Sequence, residues 1–192
     1  MKVKLLDLSP GEQIAALRKG EIDLALIGQE GALLSNEFYI RKLTTLPVVA
    51  VMPADHRLAL KKRISLKELR GERFISSPEE DLPGRDRWIA QLCRRAGFRP
   101  KFVQKASSVS NMFTLIGSEG AVTLVPGYLR SFPVAGVAMV PLSDSKATWD
   151  FLVVWQRGRT AKSLHALLDA LAASANRFEP QMDTDNGSLF IA

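Results

Sequence analysis

The groups best placed for chemistry in this sequence are serines and backbone N–H donors at strand ends and helix starts. Ser9-Pro10 opens a helical run, Gly28-Gln29 follows an apolar strand, Ser76-Ser77 ends another, and Ser107-Ser108 precedes a further helix. Free N–H groups at a helix N-terminus attract anions. In α/β proteins, ligands bind beyond the carboxyl ends of the strands. Each serine alone is an ordinary helix cap. Four such sites together predict a shared cleft for a carboxylate or a hydroxyl-rich metabolite.

Catalysis lacks a matching set. The sequence contains no Gly-x-Ser-x-Gly and no P-loop, and no Gly-x-Gly-x-x-Gly follows a strand. His56, in Pro53-Ala54-Asp55-His56-Arg57, reads as an exposed turn residue, and His165 as a surface residue of the last helix. Cys93 shares an apolar stripe with Ile89 and reads as buried and inert. Glu79-Glu80-Asp81 reads as solvated loop charge. A single cysteine excludes an intramolecular disulfide, and two distant histidines make no zinc site. Neither a metal nor a cofactor is expected.

The elements that would position these serines alternate between strand and helix. Residues 3–8 read as a short strand, followed by a capping box of Ser9, Pro10 and Glu12 that opens a helix ending at Gly20. Residues 23–27 read as a buried strand of a parallel sheet, completing a βαβ unit. Further strands are expected at 46–53, 74–77, 101–105, 122–125 and 148–156. Further helices are expected from Ser65 to Gly71, over 85–96 and 109–118, and after a cap at Ser163. The fold class is therefore α/β.

The 192 residues carry 26 Lys and Arg against 20 Asp and Glu, a formal net charge of +6. The excess is local: residues 57–105 hold 14 basic against 6 acidic residues. Phe74, Trp88, Phe98 and Phe102 are not interleaved with these bases as a nucleic-acid stacking platform requires, so the segment reads as a solvated basic face. No apolar run approaches the roughly 18–20 residues needed to span a bilayer. No signal-peptide pattern opens the chain. The expected setting is reducing and cytoplasmic, without membrane contact.

Four segments, in order, resemble LysR-type transcriptional regulators. Gln13 to Leu26, with Ala16-Leu17-Arg18-Lys19-Gly20-Glu21-Ile22-Asp23-Leu24-Ala25-Leu26, is similar to the family's "ALxxGExDLAL" segment. Leu46 to Leu58, with Met52-Pro53-Ala54-Asp55-His56-Arg57-Leu58, resembles "LVLVLPADHPLA", and Ile64-Ser65-Leu66 through Phe74-Ile75 resembles "ISLADLAGEPFI". Val122-Thr123-Leu124-Val125-Pro126 resembles "IALLP". The likeness covers residues 3–178. It implies a two-lobe fold like a type 2 periplasmic binding protein, truncated at the N-terminus. Residues 1–47 with 151–178 would form lobe I, residues 48–150 lobe II, and 179–192 a flexible tail.

The resemblance further implies an effector-binding domain whose small organic metabolite, anionic by the argument above, lies between the lobes. Its matched pocket positions are Ser9, Pro10, Gly28, Gln29, Ser107, Ser108 and Val109, with Ser76, Ser77 and Thr123 as neighbours. Glu119-Gly120-Ala121 stands where the family carries a glycine pair. The family's helix-turn-helix, and the first strand and helix of its lobe I, have no counterpart among these residues. Contact with DNA is therefore expected only through a helix-turn-helix outside this chain, in a parent protein expected to be a homo-oligomer. The alternatives are a stand-alone solute-binding protein or an enzyme on the same two-lobe scaffold. The first needs an export signal and the second an acid–base residue in the cleft.

Overall fold

The computed structural model describes residues 3–28, 34–132, 134–158 and 162–175. Its first helix, α1 (Pro10–Lys19), forms where the capping box predicts. Ser9 Oγ accepts from the Glu12 N–H, and the Glu12 carboxylate accepts from the Ser9 N–H at 2.7 Å. Gly20 ends the helix in the left-handed region, φ 70°, where a side chain would be strained. Ile14 and Leu17 pack beneath it on β1 (Ala25–Ile27) and on Phe38, Leu152 and Val154.

Residues 3–8 are not a strand. A strand needs a ladder partner and a face to bury, and Val3, Leu5 and Leu6 are 49%, 87% and 49% exposed. The Gln13 side chain takes up the backbone groups instead. It donates to the Leu8 carbonyl at 3.0 Å and accepts from the Leu26 N–H at 2.9 Å. The βαβ reading falls with that strand. The parallel-sheet reading of 23–27 falls too, because β1 pairs antiparallel with β7 (Thr148–Gln156).

The longest strand, β2 (Phe38–Pro53), begins eight residues before the apolar run expected at 46–53. Its first part pairs antiparallel with β7, from Phe38 opposite Gln156 to Pro47 opposite Thr148. From Val48 onward it exchanges that partner for β5 (Thr123–Pro126) and, on its other edge, β6 (Val137–Pro141). The exchange falls at Pro47, which has no N–H to offer a ladder. The strand β6 was not among those expected.

Both faces of the β5-β2-β6 sheet are covered, which explains the unbroken burial of β2 after Pro47. On one face Val48, Ala50 and Met52 meet Trp88, Ile89, Leu92 and Cys93 of α2 (Arg85–Arg95). On the other, Val49 and Val51 meet Met112 and Ile116 of α3 (Val109–Glu119). Each buried Val, Leu, Ile or Met among them contributes about 1.5–3 kcal/mol. Alongside runs β3 (Arg73–Ser76), parallel to β4 (Lys101–Lys105) and bonded to Val122 ahead of β5. A second capping box, Ser65 with Glu68, opens a one-turn helix as expected.

The last helix, α4 (Lys162–Ala175), turns Leu168 inward. It starts at Lys162, so Ser163 lies inside the first turn rather than at the cap. The expected tail, 179–192, lies outside the described residues.

Candidate functional site

Three of the candidate hydroxyls meet in one buried network. Ser76, Ser77 and Thr123 are 4%, 7% and 0% exposed. Ser76 and Ser77 stand at the carboxyl end of β3, and Thr123 opens β5. The group that joins Ser77 to Thr123 is Arg85, itself 4% exposed at the first position of α2. Its guanidinium donates to Ser77 Oγ at 3.0 Å, to Thr123 Oγ1 at 2.6 Å and to the Leu124 carbonyl at 3.1 Å. Met112 of α3 brings its sulfur to 3.9 Å from the same guanidinium.

Asp86 completes the network. Its carboxylate accepts from Ser76 Oγ at 2.5 Å and from the Ser77 N–H at 3.3 Å, and one oxygen lies 3.6 Å from Arg85 Nη1. A buried cation is tolerable only when hydrogen-bonded and ion-paired, and these partners supply that. Arg85 is a correction to the sequence reading, which counted it among the solvated charges of 57–105. The signal available was its place between Gly84 and the apolar stripe of Trp88, Ile89 and Leu92. The aromatic side chains of that segment are taken up in packing: Phe74 touches Phe98 and Phe102, and Trp88 touches Trp149.

The other candidates are not bonded into this network. Ser9 and Pro10 form the start of α1, and the next residue, Gly11, donates its N–H to the Asp81 carbonyl at 3.0 Å. Asp81 belongs to the loop 78–84, which links Ser77 to Arg85. The start of α1 thus abuts the segment that carries the hydroxyl network. Ser108 caps α3, accepting from the Asn111 N–H at 3.1 Å, while the Ser107 N–H donates to Asn111 Oδ1 at 3.1 Å. Ser107, Ser108 and Val109 are exposed. Gly28 is buried against the Trp149 indole. Gln29 lies outside the described residues.

Two further residues were singled out as chemically neutral. Cys93 is buried as expected, and burial pushes its thiol up to about 12, away from the reactive thiolate. His56 is not the exposed turn residue the sequence suggested, since its side chain is 11% exposed. Its Nδ1 accepts from the Leu58 N–H at 3.3 Å, and Nε2 lies 3.3 Å from Glu72, which also holds Arg57 at 2.8 Å. The ring closes a turn by accepting at Nδ1, with the Glu72 carboxylate beside Nε2. A separate shallow groove of about 580 Å³ is lined by Val109, Phe113, Leu129 and Phe132 among others, and is mainly apolar. Among the described residues, no cluster of His, Cys, Asp and Glu could hold a metal ion. Among them, too, no helix is long and apolar enough to cross a membrane.

A family profile described as the LysR substrate binding domain matches residues 1–176. The chain belongs to the LysR substrate-binding domain family. Among its LysR relatives is the Hca operon transcriptional activator HcaR of Escherichia coli (strain K12), 29% identical over 166 residues, 84% of this chain and 54% of that protein. The HTH-type transcriptional regulator AlsR of Bacillus subtilis (strain 168) is 30% identical over 126 residues, 66% of this chain and 41% of that one. The chain spans about half the length of the curated relatives it matches.

Solved LysR structures share the fold. The BenM effector binding domain with its effector benzoate superposes with a TM-score of 0.75 at 18% identity, covering 92% of this chain and 79% of that one. CbnR, a LysR family transcriptional regulator, gives 0.74 at 14% identity, covering 90% and 59%. The architecture is thus the two-lobe, periplasmic-binding-protein-like α/β fold. These relatives are transcriptional regulators, not enzymes.

Proposed function

We propose that this LysR domain senses a small anionic or hydroxyl-bearing metabolite held between two walls. One wall is the start of α1 with Ser9, Pro10 and Gly28. The other is the Ser76-Ser77-Thr123 network with the N-terminus of α3 at Ser107, Ser108 and Val109. The observation that carries the reading is the Gly11–Asp81 hydrogen bond at 3.0 Å. It joins the start of α1 to the loop that follows Ser77, which supports setting Ser9 and the Ser77 network in one site.

In this reading residues 1–47 with 151–178 form one lobe and 48–150 the other, an assignment supported by the exchange of strand partners at Pro47. Closure of the lobes around a ligand would be the signal passed to a DNA-binding segment outside these residues, in an oligomeric cytoplasmic regulator. The chain itself acts as a binding module rather than an enzyme, a reading supported by relatives that are transcriptional regulators. A thermal-shift screen of carboxylates, amino acids, sugars and aromatic compounds tests the proposal. Stabilisation by one class of polar metabolite is expected. Stabilisation by uncharged hydrophobic compounds alone would overturn it.

A further inference from the structure

Much of the basic excess of residues 57–105 is gathered at one pole. The helix α2 ends in Arg94 and Arg95, the chain turns at Gly97, and Arg99 precedes Lys101, the first residue of β4. Arg70 joins them across the turn, donating from Nη2 to the Gly97 carbonyl at 2.9 Å. Arg73, the first residue of β3, lies opposite Lys101 in the parallel ladder. All six are exposed. Because β3 and β4 both begin here, the pole lies at their amino ends, whereas Ser76 ends β3.

Local structure uses part of this charge. Bases in the last turn of α2 offset the partial negative charge of a helix C-terminus. Arg70 satisfies the Gly97 carbonyl, and Arg73 donates to the Glu119 carbonyl at the end of α3 and lies 3.9 Å from the Glu119 carboxylate. Nearby acids are held by other bases, Glu68 by Lys61 at 2.6 Å and Glu72 by Arg57 at 2.8 Å. Arg94, Arg95, Arg99 and Lys101 make no ion pair among the described residues. Arg99 and Lys101 stand beyond the end of α2, so capping does not account for them.

We propose that this pole is a contact surface for the phosphate backbone of duplex DNA, engaged without regard to sequence. The inference rests on the reading of this chain as part of a DNA-binding regulator. Four cations within residues 94–101 repel one another, and a polyanion relieves that repulsion while releasing its own condensed counterions. Three of them are arginines, whose planar fork matches a phosphate at two points. Phosphate contacts position a protein but carry no sequence information. Phe98 and Phe102, the rings nearest the pole in sequence, are packed on Phe74 and do not serve as a platform for unpaired bases. The surface therefore suits a duplex better than a single strand.

The test is fluorescence anisotropy of the wild-type chain with a labelled DNA duplex, a scrambled duplex, the matching single strand and polyglutamate. Between about 50 and 200 mM salt, affinity for the duplex should fall roughly 40-fold, the loss for three neutralised phosphates. Combining Arg94→Gln, Arg95→Gln and Arg99→Gln should weaken duplex binding about 10-fold or more at low salt. Arg99→Gln with Lys101→Gln, which leaves α2 intact, should lower the salt slope by about 2. Lys19→Gln, Lys42→Gln and Lys146→Gln together remove the same charge from exposed sites elsewhere and should stay within about 2-fold of wild type. Melting curves establish that each variant folds. Equal weakening by that control, no duplex binding at low salt, a strong preference for one duplex sequence, or tighter binding of the single strand or polyglutamate would each overturn the proposal. The sensor reading is judged separately, by whether the metabolite screen yields a polar ligand.

Discussion

Gly28 and Trp149 are in direct contact: a β-carbon on Gly28 would fall 2.1 Å from the indole Cζ2 and 2.6 Å from Nε1. Trp149 cannot easily yield. It is 6% exposed and meets Trp88 edge to face at a centroid distance of 4.7 Å. Trp88 is held in turn by its indole N–H on the Thr148 carbonyl at 3.2 Å. Gly28→Ala should therefore cost about 1–3 kcal/mol, the usual range for overpacking a filled site. Chemical denaturation checks the cost. Pairing it with Trp149→Leu should recover part of the loss, and a fully additive double variant would show that the two residues do not share the space.

Gly11 is the corresponding contact at the start of α1. A β-carbon there would lie 1.6 Å from the Glu80 carbonyl oxygen, a backbone atom that cannot rotate away. Gly11→Ala must part α1 from the loop 78–84 and break the hydrogen bond to Asp81. The expected result is a lower melting temperature and faster amide exchange at Gly11 and its neighbours in hydrogen-exchange mass spectrometry. Unchanged exchange there would mean that this junction does not hold the two segments together.

Ser107 and Ser108 can be separated by substitution. Ser108 is the cap of α3, so Ser108→Ala should cost about 0.5–2 kcal/mol. The side chain of Ser107 lies 3.4 Å from Asn111 Oδ1, a weaker contact, and Ser107→Ala should cost less. Thermal melts of the two variants side by side check the order.

Acid should destabilise the fold. Glu12 is held below the usual carboxylate range by its hydrogen bonds with the backbone and side chain of Ser9. Glu37 is lowered by its hydrogen bond with Arg18, and Glu68 by those with Lys61 and the Ser65 backbone. A carboxyl lowered in the folded state adds stability that is present above its ordinary value of 4.5. That contribution is lost as pH falls through the folded value. Melting temperatures measured from pH 7 to pH 3 should drop below about pH 4.5, and Glu12→Gln should flatten part of the fall.

What the sequence discloses follows the range of the interactions. The capping boxes at Ser9–Glu12 and Ser65–Glu68 are complete within four residues, and both form where their spacing indicates. The stripe of Trp88, Ile89, Leu92 and Cys93 is equally local. The pairing of Thr45 with Asp150 spans 105 positions, and no local pattern announces it. Residues 3–8 have apolar composition suited to a strand but no ladder partner among the described residues, and composition alone cannot supply one. Arg85 looks like surface charge because its acceptors lie 8, 38 and 39 positions away. The serines of the candidate site were legible as caps and strand ends; the cation among them was not.

The central claim is that one ligand touches both walls of the site. The most direct test is calorimetric titration of the compound that most stabilises the chain in the metabolite screen, against wild type, Ser9→Ala and Ser108→Ala. Single-site binding is predicted for the wild type, with each variant weakened about 10-fold or more where its hydroxyl bonds a charged ligand. Binding with unchanged affinity to both variants would contradict the account.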